Sequence, residues 1–252
     1  DRKTLVVAIS QSGETADVLQ ALRFAEGSKK LALTNVVGST ITSLADSVVF
    51  LNAGPEVGVA ATKTFTAQLA VIFKLFYGKE RLAPLSGLIE AMLGCENEVK
   101  AIAQKIAGKE NAFFIARGMS VPIAYEGSLK FKEISYIHSE AYPGGELKHG
   151  TLSLITDGVP VVALAPRDET LPKLFGNVRE AKARGGLIIS LTDDEDVKKE
   201  SDFCIPLPGG IDPVLYPFAL IVPLQLLAYH VSVLRGINPD RPRNLAKSVT
   251  VE

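Results

Sequence analysis

Cysteine is scarce: Cys95 and Cys204 are the only two in 252 residues, too few and too far apart for a disulfide framework. They fall in helix-like and strand-like segments and lack zinc-ligand spacing, which suits a reducing compartment. Charge of one sign is missing too. With 27 Lys and Arg against 28 Asp and Glu, the formal net charge is −1. No general electrostatic pull toward nucleic acid or an anionic membrane is expected, so any phosphate must be held locally. The apolar stretch from Ala219 to Leu234 is broken by Pro223, Gln225 and His230 and reads as too short to span a bilayer. No signal peptide, low-complexity tract or long charge block is visible, and the sequence predicts a cytoplasmic protein.

What is present is a globular composition, 47% hydrophobic and 22% charged, on a chain long enough for one large domain or two lobes that each bury a core. Leu5 to Ile9 reads as a buried strand, and Thr15 to Ala25 as a helix with Val18, Leu19, Leu22 and Ala25 on one side. Leu31 to Leu33 and Val48 to Leu51 read as further strands. The pattern returns later: a strand at Val159 to Ala165, a helix at Leu171 to Ala183 opened by Pro172, and strands at Leu187 to Leu191 and Phe203 to Leu207. Alternating strands and helices predict an α/β fold of two lobes. Each is a parallel sheet flanked by helices, with ligands at the carboxyl ends of the strands.

The two copies are unequal. The second has an additional strand, Ala112 to Ala116, a loop at Arg117-Gly118-Met119-Ser120, and a helix opening at Val121-Pro122. The first has no counterpart, so its lobe is expected to be cut at the N-terminus. The boundaries read as 1–84 for the first lobe, 85–236 for a helical connector and the second lobe, and 237–252 for a C-terminal tail. Pro239 and Pro242 keep the tail from continuing the preceding helix.

Three constellations carry chemistry. Ser10-Gln11-Ser12-Gly13-Glu14-Thr15 follows a strand and opens a helix, where hydroxyls and free amides meet the positive end of the helix dipole. It is neither a Walker loop nor a dinucleotide fingerprint. Phosphate binding and a plain cap, with Ser12 at the N-cap and Thr15 inside the first turn, both remain open. Glu126, Lys130 and Glu133 share one face of a helix from Pro122 to Ile137. They read either as a solvated ion-pair ladder or, given the apolar Phe131, Ile134 and Ile137 around them, as a buried acid–base site. His149 lies in a loop after Pro143-Gly144-Gly145, and Lys247 in a short polar tail after a long apolar helix. Either can be an ordinary surface side chain; histidine also moves protons near neutral pH, and lysine can attack a carbonyl. His138 and His230 look structural.

The blocks Ser10 to Asp17, Val57-Gly58-Val59-Ala60, Lys130 to His138, Gly145-Glu146-Leu147-Lys148-His149-Gly150 and Pro242 to Glu252 resemble, in order and nearly end to end, the isomerase portion of the glucosamine-6-phosphate synthase family, a pair of sugar-isomerase (SIS) domains. The resemblance implies flavodoxin-like SIS lobes. It implies that fructose 6-phosphate lies with its phosphate on Ser10, Gln11, Ser12 and Thr15, near Val59, with Ala61 and Ala246 also lining the sugar. His149, reaching in from a neighbouring subunit, is implied to assist ring opening. Lys247 is implied to form a Schiff base at C2, and Glu133 to carry a proton between C1 and C2 beside Lys130. Ammonia then yields glucosamine 6-phosphate. It further implies no cofactor, a homodimer with shared sites, and an ammonia supply from a glutaminase domain or partner, since nothing like the family's N-terminal glutaminase is in this chain.

Ala61 stands where the family usually has a serine, which removes one hydrogen bond, and the expected cut in lobe one removes a further serine region. Two alternatives have distinct signatures. A deaminase of the same superfamily runs related chemistry in the releasing direction. A non-catalytic sugar-phosphate sensor needs the cradle but not Glu133, His149 and Lys247 together.

Overall fold

The computed structural model describes Asp1 and residues 3–247. The backbone divides into two compact units, Asp1–Leu82 with the stretch from Arg243, and Ala83–Pro242.

The first unit is built on three parallel strands, β1 (Leu5–Ile9), β2 (Lys29–Thr34) and β3 (Ser47–Phe50), in the order β1-β2-β3. Parallel neighbours need a crossover, and α1 (Ala16–Phe24) and α2 (Thr40–Leu44) supply it. Their apolar faces meet the sheet in a core of Ala8, Leu19, Leu22, Ala32 and Ile41. A third helix, α3 (Lys63–Tyr77), follows β3. The expectation of a buried first strand needs correction. β1 pairs with β2 on one side only, and Leu5, Val7 and Ile9 are 59, 42 and 39% exposed while Ala8 alone is buried. An apolar run shows that a segment is extended, not that both of its faces are covered.

The second unit opens with α4 (Leu85–Leu93) and α5 (Glu96–Ile106) and then forms five parallel strands. These are β4 (Asn111–Ala116), β5 (His138–Pro143), β6 (Pro160–Ala165), β7 (Leu187–Thr192) and β8 (Phe203–Pro206), in the order β5-β4-β6-β7-β8. The crossovers are α6 (Val121–Ser135), α7 (Leu171–Lys182) and α8 (Glu195–Glu200), and α9 (Tyr216–Leu234) closes the unit. The series β6-α7-β7-α8-β8-α9 repeats β1-α1-β2-α2-β3-α3, so the doubled pattern in the sequence is a doubled topology. In the second unit β4 pairs along the edge of β6.

Two details alter the sequence reading. Helix α6 stops at Ser135, because Tyr136 takes the left-handed conformation (φ 59°), and His138 begins β5, which the sequence reading left out. The run Pro213–Leu234 is long and apolar enough to cross a membrane by length and composition alone. Packing, not shortness, argues against a span: Phe218, Ala219, Leu220, Ile221, Leu227 and Ala228 are buried, and α9 lies against α6, α5 and α4. Gly127 of α6 lets the helices approach closely, since a Cβ there would sit 2.5 Å from Leu224 Cδ1.

Both cysteines are free. Burial, helped by Glu98, pushes the Cys95 thiol up to about 11, and burial raises that of Cys204, so neither is a ready nucleophile. His230 is buried, with Nε2 3.1 Å from Glu96 Oε1, whereas His138 is 66% exposed and lies by Glu140.

Candidate functional site

In the first unit the polar residues gather where parallel strands end. After β1 the chain turns through Ser10–Thr15 into α1, whose N-cap is Thr15 rather than the expected Ser12. Thr15 makes no side-chain cap bond. Its hydroxyl lies instead 2.8 Å from that of Ser10, which also accepts the Gly13 amide at 3.1 Å, while Ser12 Oγ accepts the Glu14 amide at 3.2 Å. Gly13 has φ +69°, and a Cβ there would fall 2.2 Å from Ser39 Oγ, so only glycine fits this tight turn. The result is an ordered turn that gathers three hydroxyls at a helix N-terminus, where an anion is favoured.

Glu14, a carboxylate inside this turn, would oppose an anion if it faced inward. It is engaged elsewhere. Its Oε1 accepts the Thr40 amide at the start of α2 at 2.7 Å, and that backbone bond lowers its pKa. Gln11 is anchored through its backbone, which accepts from the Asn35 amide at 3.0 Å and the Thr34 hydroxyl at 3.3 Å. Asn35, at the end of β2, in turn donates to Gly54 O and accepts from the Ala53 amide, tying the β1 and β2 turns to the loop after β3.

That loop carries Val59 and Ala61, both half-buried, and receives the tail. Lys247 Nζ donates to Glu56 Oε2 at 2.7 Å and to Gly58 O at 2.8 Å. Ala246, just before it, is exposed. The remainder of the tail block, residues 248–252, lies outside the described residues.

In the second unit, Lys130 settles between two carboxylates of α6, its Nζ 2.5 Å from Glu133 Oε2 and 3.5 Å from Glu126 Oε1. The side chains are only 6, 21 and 15% exposed, for Lys130, Glu133 and Glu126. The solvated-ladder reading therefore fails: Phe131 and Ile134 are buried on the same helix, and the cluster sits where water is scarce. Burial raises the Glu126 pKa; the Lys130 ammonium opposes this and the Glu133 charge adds to it. A lysine shared by two carboxylates can hold one ionised while a proton moves onto or off the other. His149 ends a short helical turn, Gly144–His149, and is exposed. The adjacent Lys148 is anchored to Glu180 at 2.8 Å.

Sequence reasoning passed over Glu56 and Asn35 and gave Glu14 no role of its own within its block. Val57-Gly58-Val59-Ala60, next to Glu56, was singled out, but a lone polar side chain in a loop has no periodicity to mark it.

A twofold strand–helix repeat with parallel sheets and a serine turn at the first strand's end defines a two-lobed, parallel-sheet α/β class. The chain belongs to the SIS-domain family, whose pattern matches residues 1–77 and 105–235. It is 49% identical over 270 residues to a glutamine–fructose-6-phosphate aminotransferase (isomerizing) of Thermococcus kodakarensis, covering 100% of this chain and 45% of that protein. The enzyme of the same name from Pyrococcus horikoshii is 50% identical over 266 residues, covering 100% and 44%. The chain thus spans less than half the length of these curated relatives. Among solved structures it is similar to the C-terminal domain of glucosamine-fructose-6-phosphate aminotransferase from Francisella tularensis. That match has a TM-score of 0.86 and 40% identity, covering 94% of this chain and 72% of that one.

Proposed function

We propose that this chain is the sugar-isomerising module of a glutamine–fructose-6-phosphate aminotransferase, converting fructose 6-phosphate and ammonia to glucosamine 6-phosphate and water. The observation that carries the reading is Lys247. Its amine is held on the loop after β3, in the unit whose β1 turn forms the anion cradle, so one compact unit offers both a phosphate grip and a carbonyl nucleophile.

In this reading Ser10, Gln11, Ser12 and Thr15 hold the phosphate while Val59, Ala61 and Ala246 line the sugar. Binding remote from the reacting carbons keeps them in register. The Lys247 amine adds to C2, and the C2 oxygen leaves as water. Ammonia then replaces the lysine nitrogen on C2, and Glu133, supported by Lys130, moves a proton from C1 to C2. The cytoplasm, where sugar phosphates are retained, is the fitting compartment, and a glutaminase domain or partner supplies the ammonia. The agreement of name among relatives matching the whole chain supports synthesis over the deaminase and sensor readings.

The trapping experiment is direct. Borohydride added to the protein with fructose 6-phosphate is expected to leave one reduced sugar on the peptide containing Lys247, read by mass spectrometry; a folded protein that binds the sugar but takes no label would remove the Schiff base from the mechanism.

We further infer that His149 opens the sugar ring in the site of a second copy, its exposure being compatible with a role outside its own subunit. Mixing His149→Ala with Lys247→Ala is then expected to recover about a quarter of wild-type activity. Half of randomly paired dimers are mixed, and each mixed dimer holds one intact site of two. No recovery would mean that each copy supplies its own histidine.

A further inference from the structure

We propose that Glu56 is the positioning counter-ion of Lys247, a carboxylate that aims the lysine nitrogen and balances its positive charge both as the resting ammonium and as the protonated imine formed with the sugar. The imine half of this rests on the function proposed above; the ion pair does not.

The geometry has three parts. Glu56 is the buried member of the pair, 5% exposed in its side chain against 27% for Lys247. Its carboxylate is fixed to the start of α3. Oε1 accepts the amides of Thr62 at 2.9 Å and Thr64 at 3.2 Å, and Oε2 accepts the Thr64 hydroxyl. Lys247, by contrast, stands in a tail without regular secondary structure, so the direction of its side chain is set by what receives it, Glu56 and Gly58 O. A rigid acceptor thus orients a side chain on a soft support.

The charge balance favours the same role. The ammonium gives up one proton to solvent, the amine forms a C–N bond to C2, and the C2 oxygen departs as water. The imine nitrogen then takes up a proton and is cationic again. Nζ therefore carries +1 before and after, opposite the same carboxylate. Protonation matters because only the cationic imine is strongly electrophilic at C2, where ammonia must add to displace the lysine nitrogen.

Glu56 is suited to holding charge and unsuited to taking the proton. Burial alone would raise its pKa, but the Lys247 ammonium, the Thr64 hydroxyl and the amides of Thr62 and Thr64 outweigh it and bring the value from 4.5 down to about 2. Folding thus favours the ionised form. The stabilisation is complete above the ordinary carboxylate range and is lost as the pH falls from about 4.5 through about 2. Lys63, in the first turn of α3, also faces this loop, with Nζ 4.0 Å from where a Gly54 Cβ would stand.

Glu56→Gln separates charge from capping, because the amide oxygen still accepts the α3 amides. Acetylation of Lys247 by acetic anhydride at one fixed neutral pH, followed by peptide mass spectrometry, reads how firmly the amine is held by its partner without any sugar. Labelling is expected to be about tenfold faster in Glu56→Gln, which no longer opposes a charge to the ammonium. Thr64→Val, which weakens the same anchorage but leaves the charge, is expected to label at about the wild-type rate. Cyanoborohydride trapping with fructose 6-phosphate, which reduces only the protonated imine, is expected to fall in Glu56→Gln at the same pH. An unchanged acetylation rate, or equal changes in both variants tracking only their thermal stability, would reduce Glu56 to a helix cap and overturn the proposal. A faster rate in Glu56→Gln together with a wild-type protein that traps no sugar would preserve the ion pair but refute both the imine role and the function it rests on.

Discussion

Glu133→Gln is expected to slow the exchange of the C1 hydrogen of fructose 6-phosphate with solvent by about 10²- to 10⁴-fold, the range a positioned general base contributes. Sugar binding should be nearly unchanged. The glutamine keeps the shape of the side chain and an oxygen that accepts from Lys130, now 2.5 Å away, but that oxygen cannot carry a proton at neutral pH. Deuterium uptake at C1 by NMR and sugar affinity by calorimetry separate the two effects. On the proposed mechanism Glu133, 21% exposed against 6% for Lys130, is the member of the pair open to the solvent side. Exchange persisting at the wild-type rate in the variant would take Glu133 out of the chemistry and leave it a structural partner of Lys130.

Lys130→Met tests the same cluster from the side of stability. Methionine fills a similar volume, but it leaves Glu126 and Glu133 facing each other on α6 with their shared cation gone, in surroundings that already raise the Glu126 pKa. Breaking a buried ion pair from one side typically costs about 3–5 kcal/mol, and a loss of that order in urea denaturation at pH 7 is expected. The sign of the pH dependence follows from the raised pKa. An acid whose folded-state value lies above its unfolded value costs stability when ionised, and the cost is relieved as the pH falls through the folded value. The deficit of Lys130→Met should therefore shrink on acidification from pH 7 as Glu126 takes up a proton. A deficit below about 1 kcal/mol that does not change with pH would class the trio with exposed surface pairs.

Much of the fold was legible because parallel strands and amphipathic helices write their periods into the chain. The strands at Leu5–Ile9, Asn111–Ala116 and Leu187–Thr192 lie within two residues of where the apolar runs placed them. The elements that escaped notice are weakly patterned. β5 mixes His138, Ser139 and Glu140 with Ala141 and Tyr142, because it pairs with β4 alone and one of its edges needs no apolar cover. α2 and α8 are too short, at 5 and 6 residues, to show a helical period. The candidate site was legible in part for a similar reason. Ser10 to Thr15 and the Glu126, Lys130, Glu133 spacing are local signals, readable within one turn or one helix. Glu56 and Asn35, and the bond from Glu14 to Thr40, act across turns, and no local pattern announces them.

Composition and pattern were enough to establish a two-lobed α/β chain without disulfides, a hydroxyl-rich strand-to-helix turn, and three charged side chains on one helical face, because each depends on residues within about four positions of one another. Burial and long-range partners were decided only on folding. Whether Lys130 is solvated or enclosed depends on what packs around α6. Whether Leu5 faces protein or water depends on which strands flank β1. Lys247 meets a carboxylate 191 residues away in the chain. Such contacts are set by the close packing of whole elements, which fixes dielectric, charge balance and reach together, and no window of sequence contains both partners.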